Sequence, residues 1–218
     1  MSILTRNKVC KYLFFFALSL LIGCVNSAPK QYPTPQIPAS KFHSADLAMR
    51  LGRTIESDLI AHSGEGNDRY SHIGIIIESD SVLVVIDIEP STDKYMEQIK
   101  AQSLKEFFSP SKAIAGAVFR YKELDSIEIN TLKTCAIREL NSSITFDHDY
   151  LLSDPTQMYC TELIEHIYKS INISLSEGRT QRLPLAKEPV IMPSGISRNK
   201  NLEKIWSYDL RTLRDSIR

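Results

Sequence analysis

The chain has 218 residues, 43% of them hydrophobic and 24% charged, with 26 basic residues against 26 acidic ones. That is enough for one sizeable globular domain plus extensions. The zero net charge and the lack of a long like-charge run exclude an electrostatic nucleic-acid binder. The four cysteines, at 10, 24, 135 and 160, form no C-x-x-C pair, which argues against a zinc ribbon or a thioredoxin-type motif.

Arg6, Lys8 and Lys11 precede an apolar run from Tyr12 to Ile22, the length of a signal-peptide core and short for a membrane span. The run ends at Leu21-Ile22-Gly23-Cys24, which resembles the lipobox of bacterial lipoproteins. That resemblance implies cleavage after residue 23 and lipidation of Cys24. Val25, where inner-membrane lipoproteins tend to carry aspartate, favours the outer membrane. Removing residues 1–23 takes away three positive charges and leaves the mature part acidic. Residues 24–42, with Pro29, Pro33, Pro35 and Pro38, read as an extended tether, and the domain is expected over 43–218.

Asp46 to Leu51 alternates like a short strand, ended by Gly52. Thr54 to Ala61 predicts a short helix with Ile55, Leu59 and Ile60 on one side, followed by a polar loop over 62–69. Tyr70 to Ile77 and Val82 to Ile88 are β-branched runs around a polar turn, which is a β-hairpin. A loop centred between Ser79 and Asp80 would make His72 and Asp87 direct cross-strand neighbours, Cβ atoms ~5 Å apart. Asp93 to Phe108 reads as a helix and Ala113 to Tyr121 as a strand. Asp125 and Glu128 form a capping-box pattern for a helix to about Leu140, with Ile129, Leu132, Cys135, Ala136 and Leu140 on its apolar face. After a polar loop, Cys160, Leu163, Ile164, Ile167, Tyr168 and Ile171 mark one face of an amphipathic helix. Pro184, Pro189 and Pro193 punctuate a loop-rich stretch, and a short helix is expected around Leu202 to Arg214.

Cys160 sits at the N-terminus of its helix, where the macrodipole favours a thiolate. It reads either as a nucleophile or as a small apolar residue filling the helix's buried face. A nucleophile needs a base and the base an orienting acceptor, roles that His72 and Asp87 could fill. An apolar strand would bury Asp87 at a cost of several kcal/mol without a partner. Asp147, His148 and Asp149 are a rival metal-ligand cluster, but adjacent residues rarely converge on one ion, so a turn is expected there. A Cys135–Cys160 disulfide is a second rival, which would leave a stapled binding module. His43, His62 and His166 have no evident partners and are expected on the surface.

Four stretches together carry a resemblance: Ser71-His72-Ile73-Gly74-Ile75, Val85-Ile86-Asp87, Phe146-Asp147 and Tyr159-Cys160-Thr161-Glu162-Leu163. They resemble the permuted papain-like amidases of the NlpC superfamily, in particular the YaeF/YiiX-type group, over about residues 44–171. Asp87 stands where that group usually has glutamate, leaving Glu89 as a second candidate. Thr161 replaces a serine, and Ala45 replaces the glycine of a Gly-Asp strand opening matched by Asp46. The resemblance implies an α+β, circularly permuted papain-like (NlpC-type) fold, an antiparallel sheet packed against helices with the nucleophile helix late in the chain. It implies Cys160 as nucleophile, His72 as base and Asp87 as third polar residue of a cysteine hydrolase (amidase or peptidase), working by acyl transfer through a thioester. The backbone N–H of Cys160 is the natural first oxyanion donor. Expected partners are a peptidoglycan or lipid-like substrate and the membrane through the lipid anchor. No nucleic acid, metal or cofactor is expected. The different-class alternative is a catalytically inactive envelope lipoprotein that binds peptidoglycan or a protein partner.

Overall fold

The computed structural model describes residues 33–64, 66, 69–91, 97–183 and 186–215. The leader (1–23), Cys24, the first part of the tether and Pro184 lie outside the described residues. The described part is a mixed α+β structure. Six strands, β1 (Leu47–Gly52), β2 (His72–Ser79), β3 (Val82–Asp87), β4 (Lys100–Ser103), β5 (Ala113–Tyr121) and β8 (Leu202–Asp209), form one antiparallel sheet in the order β4-β3-β2-β1-β5-β8. Two-residue strands β6 (Thr145–Phe146) and β7 (Gln157–Met158) pair in parallel. The helices are α1 (Ile55–Ser63), α2 (Leu104–Phe107), α3 (Ser126–Leu140), α4 (Cys160–Lys169), α5 (Pro193–Ser197) and α6 (Leu210–Asp215). None of the described helices is long and apolar enough to cross a membrane.

Strand alternation separates two cores. Leu47 and Met49 of β1 and Ile73, Ile75 and Ile77 of β2 face α3 and α4, meeting Leu132, Leu163, Ile164, Ile167 and Tyr168. Ala48, Ile76, Val85 and Val118 face the other way, onto Phe107, Phe108 and Trp206. Phe42 is buried in this second cluster, and Ile37 packs against it. Burying each Leu or Ile of α4 is worth ~1.5–3 kcal/mol, which fixes the helix, and Cys160 with it, over β2.

Several sequence expectations hold in detail. Asp125 caps α3 with Glu128 in a complete capping box, and β5 spans Ala113–Tyr121. Others do not. Within Asp93–Phe108, expected as a helix, residues 100–103 form the edge strand β4 and only Leu104–Phe107 is helical. Leu202–Asp209, also expected as helix, pairs with β5 as the opposite edge, leaving Leu210–Asp215 as the closing helix. Helix α1 forms behind a Thr54 cap, but Ile55 and Leu59 are 78% and 62% exposed rather than packed.

The hairpin register also differs. Asp80 and Ser81 both take positive φ (48° and 64°), the backbone of a two-residue type I′ turn, so Ser79 pairs with Val82 and Ile75 with Ile86. The turn centre thus lies one residue later than expected. Continuing this register sets Asp87 opposite Gly74, two positions from His72, on the same face but on the diagonal.

Candidate active site

The site lies at one end of the sheet, where β1 ends, β2 begins and β3 ends. Arg50 pairs with His72 across β1–β2, and Asp87 pairs with Lys100 across β3–β4. Tyr159 is the extended N-cap residue of α4, so Cys160 occupies the first helical position. Cys160 is partly exposed and lines a cavity of about 750 Å³ together with His72. The side chains of Cys160 and His72 interact. Both Cys135 and Cys160 are free thiols, so the disulfide expected as a rival is not formed. Of the two, Cys135 is the buried one.

His72 Nε2 donates to Asp87 Oδ2 at 2.6 Å, which leaves Nδ1 for the thiol. The diagonal works because Gly74 has no side chain. A Cβ there would come within 2.5 Å of Val85 Cγ1 and 3.1 Å of Asp87 Cβ, in the space the Asp87 side chain needs. Asp87 is fully buried, and Gln102 Nε2 donates to both of its carboxylate oxygens at 2.8 and 3.0 Å. Lys112 Nζ in turn donates to Gln102 Oε1 at 3.0 Å, which fixes the amide's orientation. Phe107 stacks against the His72 ring at 5.7 Å between centroids. Burial and the Arg50 charge pull the imidazole's pKa down, but the bond to Asp87 and the contact with Cys160 outweigh them and raise it to about 9.

Glu89, the second candidate for the orienting role, is 4.0 Å from His72 Nε2 and is held by Arg50 and Lys100. Burial opposes its charge, but His72, Arg50 and Lys100 bring its pKa down to about 2. Asp87 is therefore the acceptor that orients the ring. His72, Asp87 and Glu89 place three ligand atoms within 4.8 Å of one another, close enough to hold an ion. Two cations on Glu89 and a 2.6 Å bond between the other two residues oppose one.

Asp147 is not a metal ligand with its neighbours. It is buried and accepts from the backbone N–H groups of Asp149, Tyr150 and Leu151, so it folds the loop that carries Tyr150 to the cavity. His148 donates to Glu97, and Asp149 pairs with Lys187. Ala45, at the position where the resembling group has glycine, takes φ 76°, and Tyr168 Oη donates to its carbonyl at 2.7 Å. His43 and His62 are exposed, as expected, but His62 Nδ1 donates to the Asp58 carbonyl at 2.7 Å and His166 is paired with Glu139, so neither of these two lacks a partner.

Three features of the site were not read from the sequence, although Glu162 stands within the Cys160 motif. Gln102 lay inside a stretch read as helix. Ile191 is pinned to the Cys160 helix, donating to Tyr159 Oη at 3.0 Å and accepting from Thr161 Oγ1 at 2.6 Å, so the 190–193 segment walls the cavity. Glu162, in the first turn of α4, has a buried Oε2 without a partner, and burial pushes its pKa up to about 8.

No protein-family description matches the chain, and no curated protein matches it. Among solved structures, the fold is similar to the crystal structure of metalloprotein yiiX from Escherichia coli O157:H7, with a TM-score of 0.62 and 17% identity, over 76% of this chain and 97% of that one. The likeness is one of fold.

Proposed function

We propose that this protein is a cysteine hydrolase of the permuted papain-like type, acting by acyl transfer through a thioester. Cys160 is the nucleophile, His72 the general base and acid, and Asp87 the residue that orients His72. The observation that carries this reading is that Cys160, at a helix start, and His72 line one cavity, while Asp87, buried behind the ring, accepts from His72 Nε2. The thiol proton passes to His72 Nδ1, and the sulfur attacks the substrate carbonyl. The oxyanion forms against the N–H groups of the first turn of α4, which have no partner within the helix. His72 then returns the proton to the leaving amine or alcohol, and water releases the acyl group with His72 again as base. Asp87 holds the imidazole through Nε2 and favours its protonated form.

The cavity supports an amide or ester with an apolar acyl group. Its lining includes the apolar Ile60, Phe146, Leu183, Val190 and Ile191 and the cationic Arg50 and Lys112. A lipid-like substrate fits these apolar lining residues better than a peptidoglycan peptide does. The lipobox at Cys24 places the mature protein, in this reading, on the periplasmic face of the outer membrane. The test is turnover of p-nitrophenyl esters of increasing chain length, with intact-mass detection of the acyl-enzyme. The expected result is an adduct mapped to Cys160, absent from Cys160→Ala, with turnover lost in His72→Ala. Binding of substrate without adduct or turnover would instead support the inactive binding lipoprotein.

A second reading is favoured by the description of yiiX as a metalloprotein and by the convergence of His72, Asp87 and Glu89. Metal bound at that triad would have to displace the His72–Asp87 bond and the cations on Glu89. Metal analysis of the purified protein and of Asp87→Asn distinguishes it: an ion lost in the variant supports this reading.

A further inference from the structure

A second cluster of ligating groups lies away from the cavity, between α3 and α4. Cys135 and Glu139 are four residues apart on α3 and so share one face. His166, in the last turn of α4, meets them from the facing helix. One ligand atom from each, Sγ, a carboxylate oxygen and an imidazole nitrogen, all lie within 4.8 Å of one another. His166 Nε2 and Glu139 Oε1 are 3.3 Å apart. Two ligands each ~2.0–2.1 Å from a tetrahedral zinc stand ~3.3–3.4 Å apart, so this spacing is that of two corners of such a site. Cys135 and Glu139 are buried, 3% and 6% exposed, whereas the His166 side chain is 41% exposed and leaves the cluster open on one side.

Among the described residues, the cation paired with the cluster is the Arg138 guanidinium. It donates to Cys135 Sγ at 3.1 Å and to Glu139 Oε1 at 2.7 Å, and its side chain is 64% exposed, free to swing out. We propose that Cys135, Glu139 and His166 form a zinc site that clamps the end of α3 to the last turn of α4. The fourth position, on the open side, belongs to water. Thiolate, imidazole and carboxylate together suit Zn²⁺ rather than Mg²⁺ or Ca²⁺, which take oxygen ligands. Binding releases the thiol proton and moves Arg138 aside into solvent. His166 lies six residues beyond Cys160, ~9 Å along the helix axis, so the ion sits apart from the reacting thiol. Its role is to hold the helix that carries Cys160.

The site is independent of the proposed hydrolase activity and can be read without it. Metal-free protein carrying Cys160→Ala is titrated with Co²⁺. The expected result is a thiolate-to-cobalt charge-transfer band with a tetrahedral visible envelope, and a higher melting temperature with Zn²⁺. Adding Cys135→Ser removes the band, and adding His166→Ala weakens binding by at least about 10-fold. His166→Ala changes a partly exposed ring, so an unchanged metal-free melting temperature shows that the fold is intact. No band in the Cys160→Ala protein, or a band that survives Cys135→Ser, would overturn the site.

Discussion

Asp87→Asn isolates the electrostatic part of the Cys160–His72–Asp87 arrangement. The side chain keeps its size, but a neutral amide replaces the buried carboxylate that accepts from His72 Nε2. His72 titrates at about 9 in the folded protein against an ordinary 6.5. A histidine whose pKa is raised on folding stabilises the folded state fully below 6.5, and this stabilisation is lost as pH rises through 9. At ~1.4 kcal/mol per pH unit the whole effect is about 3 kcal/mol, and the ring is too buried for solvent to screen it. Urea unfolding of wild type and Asp87→Asn should therefore differ by up to ~3 kcal/mol more at pH 6 than at pH 10. The His72 ring signal followed by NMR should titrate near 9 in wild type and several tenths to two pH units lower in the variant. The same stability gap at both pH values, or a wild-type His72 titrating near 6.5, would refute the electrostatic reasoning.

Gly74→Ala should cost ~1–3 kcal/mol by overpacking and lower the His72 pKa, because its Cβ invades the space of Asp87. NMR titration with thermal unfolding reads both; an unperturbed His72 would argue against the diagonal contact. Gln102→Leu removes the Nε2 donor that makes both of its hydrogen bonds to buried Asp87 and should destabilise by ~1.5–3 kcal/mol, measured by urea unfolding. Turnover should fall with it. Glu162 titrates at about 8 in the folded chain against an ordinary 4.5, so wild-type stability is present below 4.5 and falls as pH rises to 8. Glu162→Gln should gain on wild type across that window by at most ~1.4 kcal/mol per pH unit, and a pH-independent difference would contradict the burial account.

Much of the fold was legible where one local rule coincided with tertiary packing. The Asp125/Glu128 capping box and the apolar face of α3 both agree with the observed helix. The 3.6-residue spacing from Leu163 to Tyr168 matches the buried face of α4. The edge strands were not legible. Lys100-Ala101-Gln102-Ser103 and Leu202-Glu203-Lys204 carry good helix formers, and only pairing with β3 and β5 makes them strands. The helix expected over the first edge also hid Gln102. His72 and Asp87 were found on one face, but their direct pairing failed on a turn centred one residue later. Positive φ at Asp80 and Ser81, with no glycine to mark it, is what sequence alone did not show. Period-two alternation tolerates such a shift when the paired sum changes by two, so both residues kept the same face.

Alkylation of the protein by iodoacetamide, mapped residue by residue over pH, tests the central claim most directly, because it reads the nucleophile without needing a substrate. The account predicts that Cys160 is modified far faster than buried Cys135, that His72→Ala slows it at neutral pH, and that Cys135 is unaffected by that substitution. Equal Cys160 reactivity in wild type and His72→Ala would contradict it.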